Sequence, residues 1–405
     1  MRISYSFFLL LIVWSSIAQT QKDSINNFVF LSNDFDNEWT PKSAKLCVDG
    51  SVGSNLFNSA MFNDVLFRSG FISDGKKEFL ESPEERTRLY AQFRSEMEYK
   101  ISSNLGVYVK NKNIAGYSGS TKFTQLVMFG NANFQNQKVN SGDLQFISAA
   151  QTSAGITLKS FIGTNTSTKL GIGLNVISNY KQLNASLVSL YTAGAGQYIE
   201  AEFKDFYISK RSLGLIGVGL DINYGIEVAV NEKSKLSFSV ADFNVNRLIN
   251  QKSIYLDTAF TFSGYKYQFG NNEATFSEYI DTSFSAYINR GTKVEKWLML
   301  PSHLSLSYSH LLSKKTNLTI DLTTIGFGNF GTAVSVSLDQ RLGENVKILS
   351  AVGFGNFTGF TWREALEYRT GNGLHFYVNI MGLQSFLMPL QTHNYGLGIG
   401  LAKRF

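Results

Sequence analysis

YGLGIGLAKRF, the stretch from Tyr395 to Phe405, alternates two kinds of side chain along its whole length. The first set is Tyr395, Leu397, Ile399, Leu401, Lys403 and Phe405, and the second is Gly396, Gly398, Gly400, Ala402 and Arg404. Successive side chains of a β-strand point to opposite faces, so this period of two indicates a strand. A mainly apolar face that begins and ends with an aromatic ring, opposite a face of small residues, is typical of a membrane β-barrel wall.

The amino terminus predicts export from the cytoplasm. Arg2 precedes the short apolar run Phe7–Trp14, and Ser16-Ile17-Ala18 then supplies the small residues of a cleavage site. Because the run is too short to span a bilayer, we interpret residues 1–18 as a signal peptide. Phe405 at the end of a strand resembles the sorting signal of bacterial outer-membrane proteins. We therefore expect the bacterial outer membrane as the location, with its lipids and the barrel assembly machinery as partners.

The composition is compatible with such a barrel and argues against a nucleic-acid partner. The chain has 35 Gly, only 4 Pro, 19 Tyr and 33 Phe. Its 37 basic residues are scattered among 31 acidic ones, and no basic run interleaves with aromatic residues. The single cysteine, Cys47, cannot form an internal disulfide, and we interpret it as a small apolar strand residue.

Alternation recurs along the chain and is longest in Gly217–Val230 and Leu89–Ile101. Seventeen candidate strands result, at 43–54, 88–101, 104–117, 148–162, 167–179, 181–191, 196–208, 217–230, 234–247, 251–265, 301–312, 316–326, 332–341, 345–355, 360–370, 374–382 and 394–404. Bacterial single-chain barrels have even strand numbers, so at least one candidate, expected in the first half, is not a wall strand. We predict an antiparallel barrel of about 14 strands, with 12 or 16 allowed, over residues 43–405.

Four segments lack this alternation. Residues 55–87, 118–147 and 266–300 are predicted excursions, and the second contains a short helix near Phe123–Phe129. Long excursions of such barrels lie outside the cell or fold into the lumen. The polar residues 19–42 are predicted to form an amino-terminal arm or a plug.

The candidate functional residues are the charged residues at those alternate strand positions whose side chains are expected to point into the lumen. They are Arg94, Glu96, Glu98, Lys100, Asp221, Glu227, Arg363, Glu367 and Arg369. They could pair across the barrel or hold a plug, or they could select a passing solute. Mixed signs at this density favour networks over a filter of one sign.

No pattern in the sequence predicts an enzyme, a cofactor or a metal site. His303 shares a parity with Ser305, Ser307 and Ser309, but neighbours two apart on one strand do not form a nucleophile–base pair, so we interpret them as lumen lining. No His, Cys and Glu cluster has metal-ligand spacing. The glycines lie within strands and not at a strand-to-helix turn, which a phosphate-binding loop would need.

Several short motifs carry a family resemblance. They are Leu66–Ile72, Phe238–Phe243 with its aspartate near a strand end, Leu300-Pro301-Ser302 and the terminal Lys403-Arg404-Phe405. In this order they resemble a family of Bacteroidota outer-membrane proteins of unknown function (DUF5723). More distantly, the chain is similar to the fatty acid transporter FadL and to PorV of type IX secretion. This resemblance implies a channel for small or hydrophobic solutes, or a docking subunit of an envelope secretion or assembly complex. The alternative is a structural or adhesion barrel whose extracellular loops bind a partner.

Overall fold

The computed structural model describes residues 42–61, 85–194, 197–210, 215–262, 292–325, 332–355, 359–389 and 392–405. The predicted signal peptide, residues 19–41 and the motif Leu66–Ile72 lie outside these ranges, so their assignments stay predictions.

Most of the described chain is β-strand. The strands are β1 (Ser43–Ser54), β2 (Arg86–Lys100), β3 (Leu105–Ser120), β4 (Lys138–Asn140), β5 (Leu144–Ile162), β6 (Thr166–Ala185), β7 (Leu187–Thr192), β8 (Ile199–Lys210), β9 (Gly217–Ala229), β10 (Ser234–Phe262), β11 (Thr292–Leu298), β12 (His303–Ser313), β13 (Thr316–Ile325), β14 (Thr332–Leu342), β15 (Val346–Gly355), β16 (Gly359–Arg369), β17 (Leu374–Met381) and β18 (Asn394–Arg404). Two helices, α1 (Thr121–Phe129) and α2 (Gln384–Leu387), lie in loops. Within the described ranges, neither these nor any other helix has the length and apolar character needed to cross a membrane.

Fourteen of the strands close into an antiparallel barrel, which confirms the predicted fold class and strand number. The ring runs β1, β2, β3, β5, β6, β9 and β10, and then β12 to β18 in sequence order. The last strand pairs with the first from Ser43 opposite Arg404 to Gly53 opposite Asn394. Because this seam is continuous, the ring has no free edge at the place where the chain ends meet.

Three of the seventeen candidate strands are not separate wall strands, and all three lie in one region. Residues 181–191 form the end of β6 and then β7, and 196–208 corresponds to β8. The described part of the candidate 251–265, residues 251–262, continues 234–247, because both belong to the 29-residue strand β10. β10 is far longer than the 9–11 residues a membrane strand needs. Its second half pairs with β8, which pairs with β7, and β7 pairs with β4. These strands extend the sheet beyond the barrel wall.

The side chains alternate between an apolar outer face and a polar inner face. On β18, Leu397, Ile399 and Leu401 are exposed, while Gly396 and Ala402 are buried. On β14 the exposed outer residues include Val334, Val336 and Leu338. Exposed apolar side chains on every wall strand form the lipid-facing band expected of an outer-membrane barrel.

The two ends of the barrel differ in the length of their connections. Tight turns at 102–104, 163–165, 230–233, 314–315, 343–345 and 370–373 all lie at the end that holds both Lys42 and Phe405. The long connections, including 121–143 with helix α1, lie at the opposite end. Short periplasmic turns and longer extracellular loops are the rule in such barrels, so both described chain ends are on the periplasmic side.

Small residues on the inner face of β18 leave room for larger side chains of the neighbouring strands. A Cβ atom added to Gly400 would lie 3.5 Å from Cys47 Sγ and 3.5 Å from Tyr377 Cβ. Cys47 and Tyr377 are buried in one apolar cluster with Leu349, Ala351 and Ala365. An added Cβ atom would make only ordinary van der Waals contacts with these two side chains, so Gly400 packs against this cluster without being required by it.

Deleting Phe405 is expected to lower the amount of folded protein in the outer membrane several-fold. Its ring is 71% exposed at the periplasmic end, where barrels place an aromatic girdle, and its N–H donates to Lys42 O at 2.9 Å. The measurement is the quantity of the heat-modifiable band in isolated outer membranes. Phe405→Trp is the matched control, because it keeps an aromatic terminus. Unchanged levels after the deletion would show that the terminal ring is only part of the wall.

Candidate functional site

Four buried charges on the inner wall form a compact group, here called the lysine–aspartate cluster: Lys110, Lys112, Asp221 and Asp242. Lys110 Nζ lies 2.9 Å from Asp221 Oδ2 and 2.6 Å from Asp242 Oδ1, and Lys112 Nζ lies 2.8 Å from Asp242 Oδ2. Their side chains are at most 2% exposed. Lys112 also donates to the carbonyl oxygen of Pro301 at 2.9 Å. The cluster therefore contains two positive and two negative charges, all paired.

A β-bulge places Asp242 in this cluster. The register of β10 against β9 shifts between Val240 and Phe243, so that Asp242 falls within the irregularity. Its φ of 58° lies in the left-handed region, where aspartate and asparagine are more readily accommodated than most residues. The N–H of Asp242 donates to Asn223 Oδ1 at 2.9 Å, which holds this turn of the backbone. Bulges commonly re-aim a side chain in this way.

The cluster crosses the inner surface of two intervening wall strands. Lys110 and Lys112 lie on β3, whereas the aspartates lie on β9 and β10, with β5 and β6 between them. Tyr108, also on β3, reaches across and donates to Asp221 Oδ2 at 2.9 Å. A Cβ atom on Gly173 of β6 would lie 2.6 Å from the Tyr108 hydroxyl oxygen. Glycine at this position leaves the space through which Tyr108 reaches Asp221.

Amides extend the polar contacts toward the extracellular end. Asn244 donates to the carbonyl oxygen of Asp242 at 2.7 Å and accepts from Asn246 at 2.6 Å. Asn244 Oδ1 also accepts from the N–H of Leu300 at 3.0 Å, which ties the segment before β12 to the wall. His303 Nε2 lies 3.0 Å from Gln92 Oε1. These hydrogen bonds hold the end of the loop before β12, and the first residue of β12, against the inner face of the wall.

An apolar group, here called the outer-mouth cluster, lies on the inner side beyond the lysine–aspartate cluster, toward the long loops. It consists of Tyr90, Ile114, Ile147, Ala149, Ile177, Tyr180, Ile216, Leu248 and Leu300. Four wall strands, β2, β3, β5 and β6, contribute its first six members, while Ile216 and Leu300 come from connections. The lumen of the described chain thus changes from apolar to charged along its axis on this side.

The predicted candidates occupy several separate places on the inner wall. Asp221 belongs to the lysine–aspartate cluster. Arg94 pairs with Glu96 on the same strand, Glu98 lies 3.6 Å from Lys169, and Lys100 is buried. Glu227 pairs with Lys235 at 2.8 Å near the periplasmic turn.

The three candidates of β16, Arg363, Glu367 and Arg369, lie on the opposite wall. Glu367 Oε1 accepts from Arg369 Nε at 2.9 Å and lies 3.2 Å from His375 Nδ1. Arg363 and Glu367 are both buried. The nine candidates therefore do not form one site.

The sequence reasoning did not select Lys110, Lys112 or Asp242 as charged lumen residues. A signal for the lysines was available, since both lie on the inner parity of a predicted strand. Asp242 was noted only as a motif residue near a strand end. No described group of three or more His, Cys, Asp and Glu side chains is arranged to hold a metal ion. His303 contacts Gln92, and in the described part of the chain no serine hydrogen-bonds to it.

Comparisons with known proteins show similarity only at the level of barrel structure. No protein-family model and no curated protein matches the chain. Among solved structures, the toluene transporter TbuX of Ralstonia pickettii has a TM-score of 0.47 and 8% identity, with 90% of each chain covered. A FadL homologue of Pseudomonas aeruginosa has a TM-score of 0.44 and 9% identity, with 89% of each chain covered. The translocator domain of the autotransporter NalP from Neisseria meningitidis has a TM-score of 0.36 and 10% identity over both whole chains.

The assignment of this chain as a closed outer-membrane barrel of 14 strands rests on its own strand pairings and its apolar outer band. The resemblance to the Bacteroidota family stays a prediction.

Proposed function

We propose that this barrel is an outer-membrane channel for small hydrophobic solutes that enter the lumen at the outer-mouth cluster. The observation that supports the proposal is this cluster itself, a group of buried apolar side chains on the inner side of a barrel whose inner face is otherwise largely polar, and a solute would enter by displacing part of this packing. Ligand sites are typically concave and mainly apolar, with a few polar groups that set orientation. Gln92 and His303 supply such groups beside Tyr90.

The charges of the inner wall support an apolar solute over an ion. Filters that select ions use rings of one sign of charge or rings of carbonyl groups. The lysine–aspartate cluster has equal numbers of both signs, and its members are paired and buried. An ion passing this layer would have to compete with pairs that are already formed, whereas an apolar solute at the outer-mouth cluster would not.

The test is uptake of a small apolar aromatic compound, with toluene as the probe, by cells that have or lack the protein. Ile177→Asn adds a polar group to the outer-mouth cluster, where Ile177 is fully buried, and should reduce uptake to the level of cells without the protein. Leu349→Asn is the matched control, because Leu349 is a buried apolar residue of the other inner cluster. Equal uptake with and without the wild-type protein, with folded barrel present in the membrane, would refute the channel.

A docking subunit of an envelope complex is the second candidate. The observation that favours it is a run of three exposed apolar side chains in the extracellular connection between β17 and β18. They are Phe386, Leu387 and Met388, and the first two are 77% and 69% exposed. Adjacent exposed apolar side chains of this size commonly mark a contact surface. Native gel electrophoresis after mild detergent extraction tests it, since a docking subunit should migrate above the barrel monomer and Phe386→Ser should abolish that shift.

A further inference from the structure

We propose that the outer face of β15 and β16 is an interface within the membrane for a second membrane-spanning protein, which presents a basic side chain to Glu364. This goes beyond the proposed channel and does not depend on whether the lumen conducts a solute. The observation behind it is a carboxylate on the lipid-facing side of the wall.

Glu364 lies at the centre of the apolar outer row of β16. The outer residues of this strand are Phe360, Trp362, Glu364, Leu366 and Tyr368. Their neighbours on the inner parity, Arg363, Ala365 and Glu367, are buried in the lumen wall. Phe360 and Trp362 precede Glu364 on the outer face, and Leu366 and Tyr368 follow it, so its carboxylate lies within the lipid-facing band, two residues from the Trp362 backbone that contacts the extracellular connection.

The carboxylate is held in a defined orientation by two donors on the same outer face. The hydroxyl group of Ser350, directly opposite on β15, donates to Glu364 Oε2 at 2.7 Å. The indole N–H of Trp362 donates to Oε1 at 2.8 Å. Ser350 itself interrupts an outer row of Val346, Ile348, Val352 and Phe354. Two adjacent strands therefore place polar groups at the same height, which produces an oriented acceptor in an otherwise apolar surface.

The charge of Glu364 points to the chemistry of the partner. Among the described residues, no basic side chain forms an ion pair with Glu364, so the wall itself supplies hydrogen bonds but no opposite charge. Ionisable groups in membrane segments rarely face lipid, and they usually pair with one another or with other polar groups. An arginine or lysine from a neighbouring transmembrane segment would complete this arrangement, because each carboxylate oxygen can accept more than one hydrogen bond.

The same side of the barrel carries the exposed apolar run at its extracellular end. The N–H groups of Gly382 and Leu383 donate to the carbonyl oxygen of Trp362 at 2.9 and 3.0 Å. The N–H of Trp362 donates to Gln384 Oε1 at 2.9 Å, so helix α2 is fixed to the strand that carries Glu364. Phe386 and Leu387 of this helix thus continue the same face toward the extracellular side, and a partner that reaches Glu364 could also cover them.

Site-specific photocrosslinking in native outer membranes tests the proposal. A photoreactive amino acid replaces Leu366, the next outer residue of β16, or in a control replaces Leu220, an exposed outer residue of β9 on a distant part of the wall. We expect a discrete protein adduct only at Leu366, and we expect it to fall to background when Glu364→Leu is added. The crosslinked segment of the partner should contain an arginine or lysine whose replacement by leucine also removes the adduct.

Three outcomes would overturn the proposal: adducts with lipid alone at both positions, a protein adduct that Glu364→Leu leaves unchanged, or an adduct that consists of two copies of this chain. Glu364→Leu replaces a polar group in the lipid-facing band with an apolar one, so we expect the barrel to assemble normally, as judged by heat-modifiable migration. Glu364→Gln is the second variant, because its amide oxygen can still accept from the Trp362 indole and its amide group can donate to Ser350 Oγ, while the charge is removed. Loss of the adduct in this variant identifies the charge as the recognised feature.

Discussion

Replacing Asp242 with asparagine is expected to lower the free energy of unfolding of the barrel by about 3–5 kcal/mol, the usual cost of breaking a buried ion pair by removing one partner. The substitution leaves Lys112 with the carbonyl oxygen of Pro301 but without its recorded carboxylate partner. Lys110 keeps Asp221 at 2.9 Å, so most of the loss arises from Lys112. Asparagine is preferred to alanine here because it adopts the positive φ of this bulge more readily.

An exposed ion pair of the same strand provides the control. Arg247 of β10 pairs with Glu295 at 2.8 Å, and both side chains are about half exposed, at 54% and 49%. Exposed pairs contribute about 0–1 kcal/mol, so Glu295→Gln should change stability by no more than that. The measurement is equilibrium unfolding in urea from lipid vesicles. A loss below about 1 kcal/mol for Asp242→Asn would show that Lys112 is solvated in spite of its burial in the structure.

Adding Lys112→Met to Asp242→Asn tests whether the unpaired charge of Lys112 causes the loss of stability. The double variant removes the buried cation that has lost its partner, while Lys110 and Asp221 remain paired. We expect it to be more stable than Asp242→Asn alone, because an apolar side chain needs no counter-charge. If the effects of Asp242→Asn and Lys112→Met, each measured alone, simply add in the double variant, Lys112 and Asp242 do not interact energetically.

The wall of the barrel was predictable from local pattern alone. β1 and β18 lie at the predicted residues 43–54 and 394–404, and most other wall strands differ from prediction by only a few residues. In this fold the side-chain period of each strand reports directly which face meets lipid and which meets the lumen. Turn residues such as 343–345 and 370–373 then mark the periplasmic ends.

The three candidates that are not separate wall strands show that alternation alone does not identify a wall strand. Within the candidates 196–208 and 251–265, the described strand residues 199–208 and 254–262 pair with each other beyond the barrel. An extended sheet outside the membrane has the same period of two as the wall, so alternation cannot separate them. The distinction depends on which strands pair, and this is set by contacts between residues far apart in the sequence.

The lysine–aspartate cluster could not be predicted for a related reason. It requires the registers of β3, β5, β6, β9 and β10 together with a bulge at Asp242, and a shift of one residue would turn the lysines toward lipid. Glu364 is different, because the sequence itself shows a charged residue among the alternate, otherwise apolar residues Phe360, Trp362, Leu366 and Tyr368 of β16.

Val336→Arg is expected to lower the free energy of unfolding by about 2–4 kcal/mol, because it places a cation at the middle of the lipid-facing band. Val336 is exposed on β14 between the outer residues Val334 and Leu338. Leu342→Arg, at the periplasmic end of the same strand, should cost only about 0–1 kcal/mol, since its side chain can reach the headgroups.

Comparing these two arginines tests the membrane assignment itself, because the strand and the introduced residue are the same, the exposures are similar, and the main difference is depth. Val336 and Leu342 are 40% and 48% exposed, so burial within the protein cannot account for a difference. Urea unfolding in vesicles measures the two losses, and heat-modifiable migration confirms that each variant closes its barrel. Equal losses at the two positions would mean that the outer face of β14 does not meet a hydrocarbon layer, and the lipid-facing environment proposed for Glu364 would then be withdrawn as well.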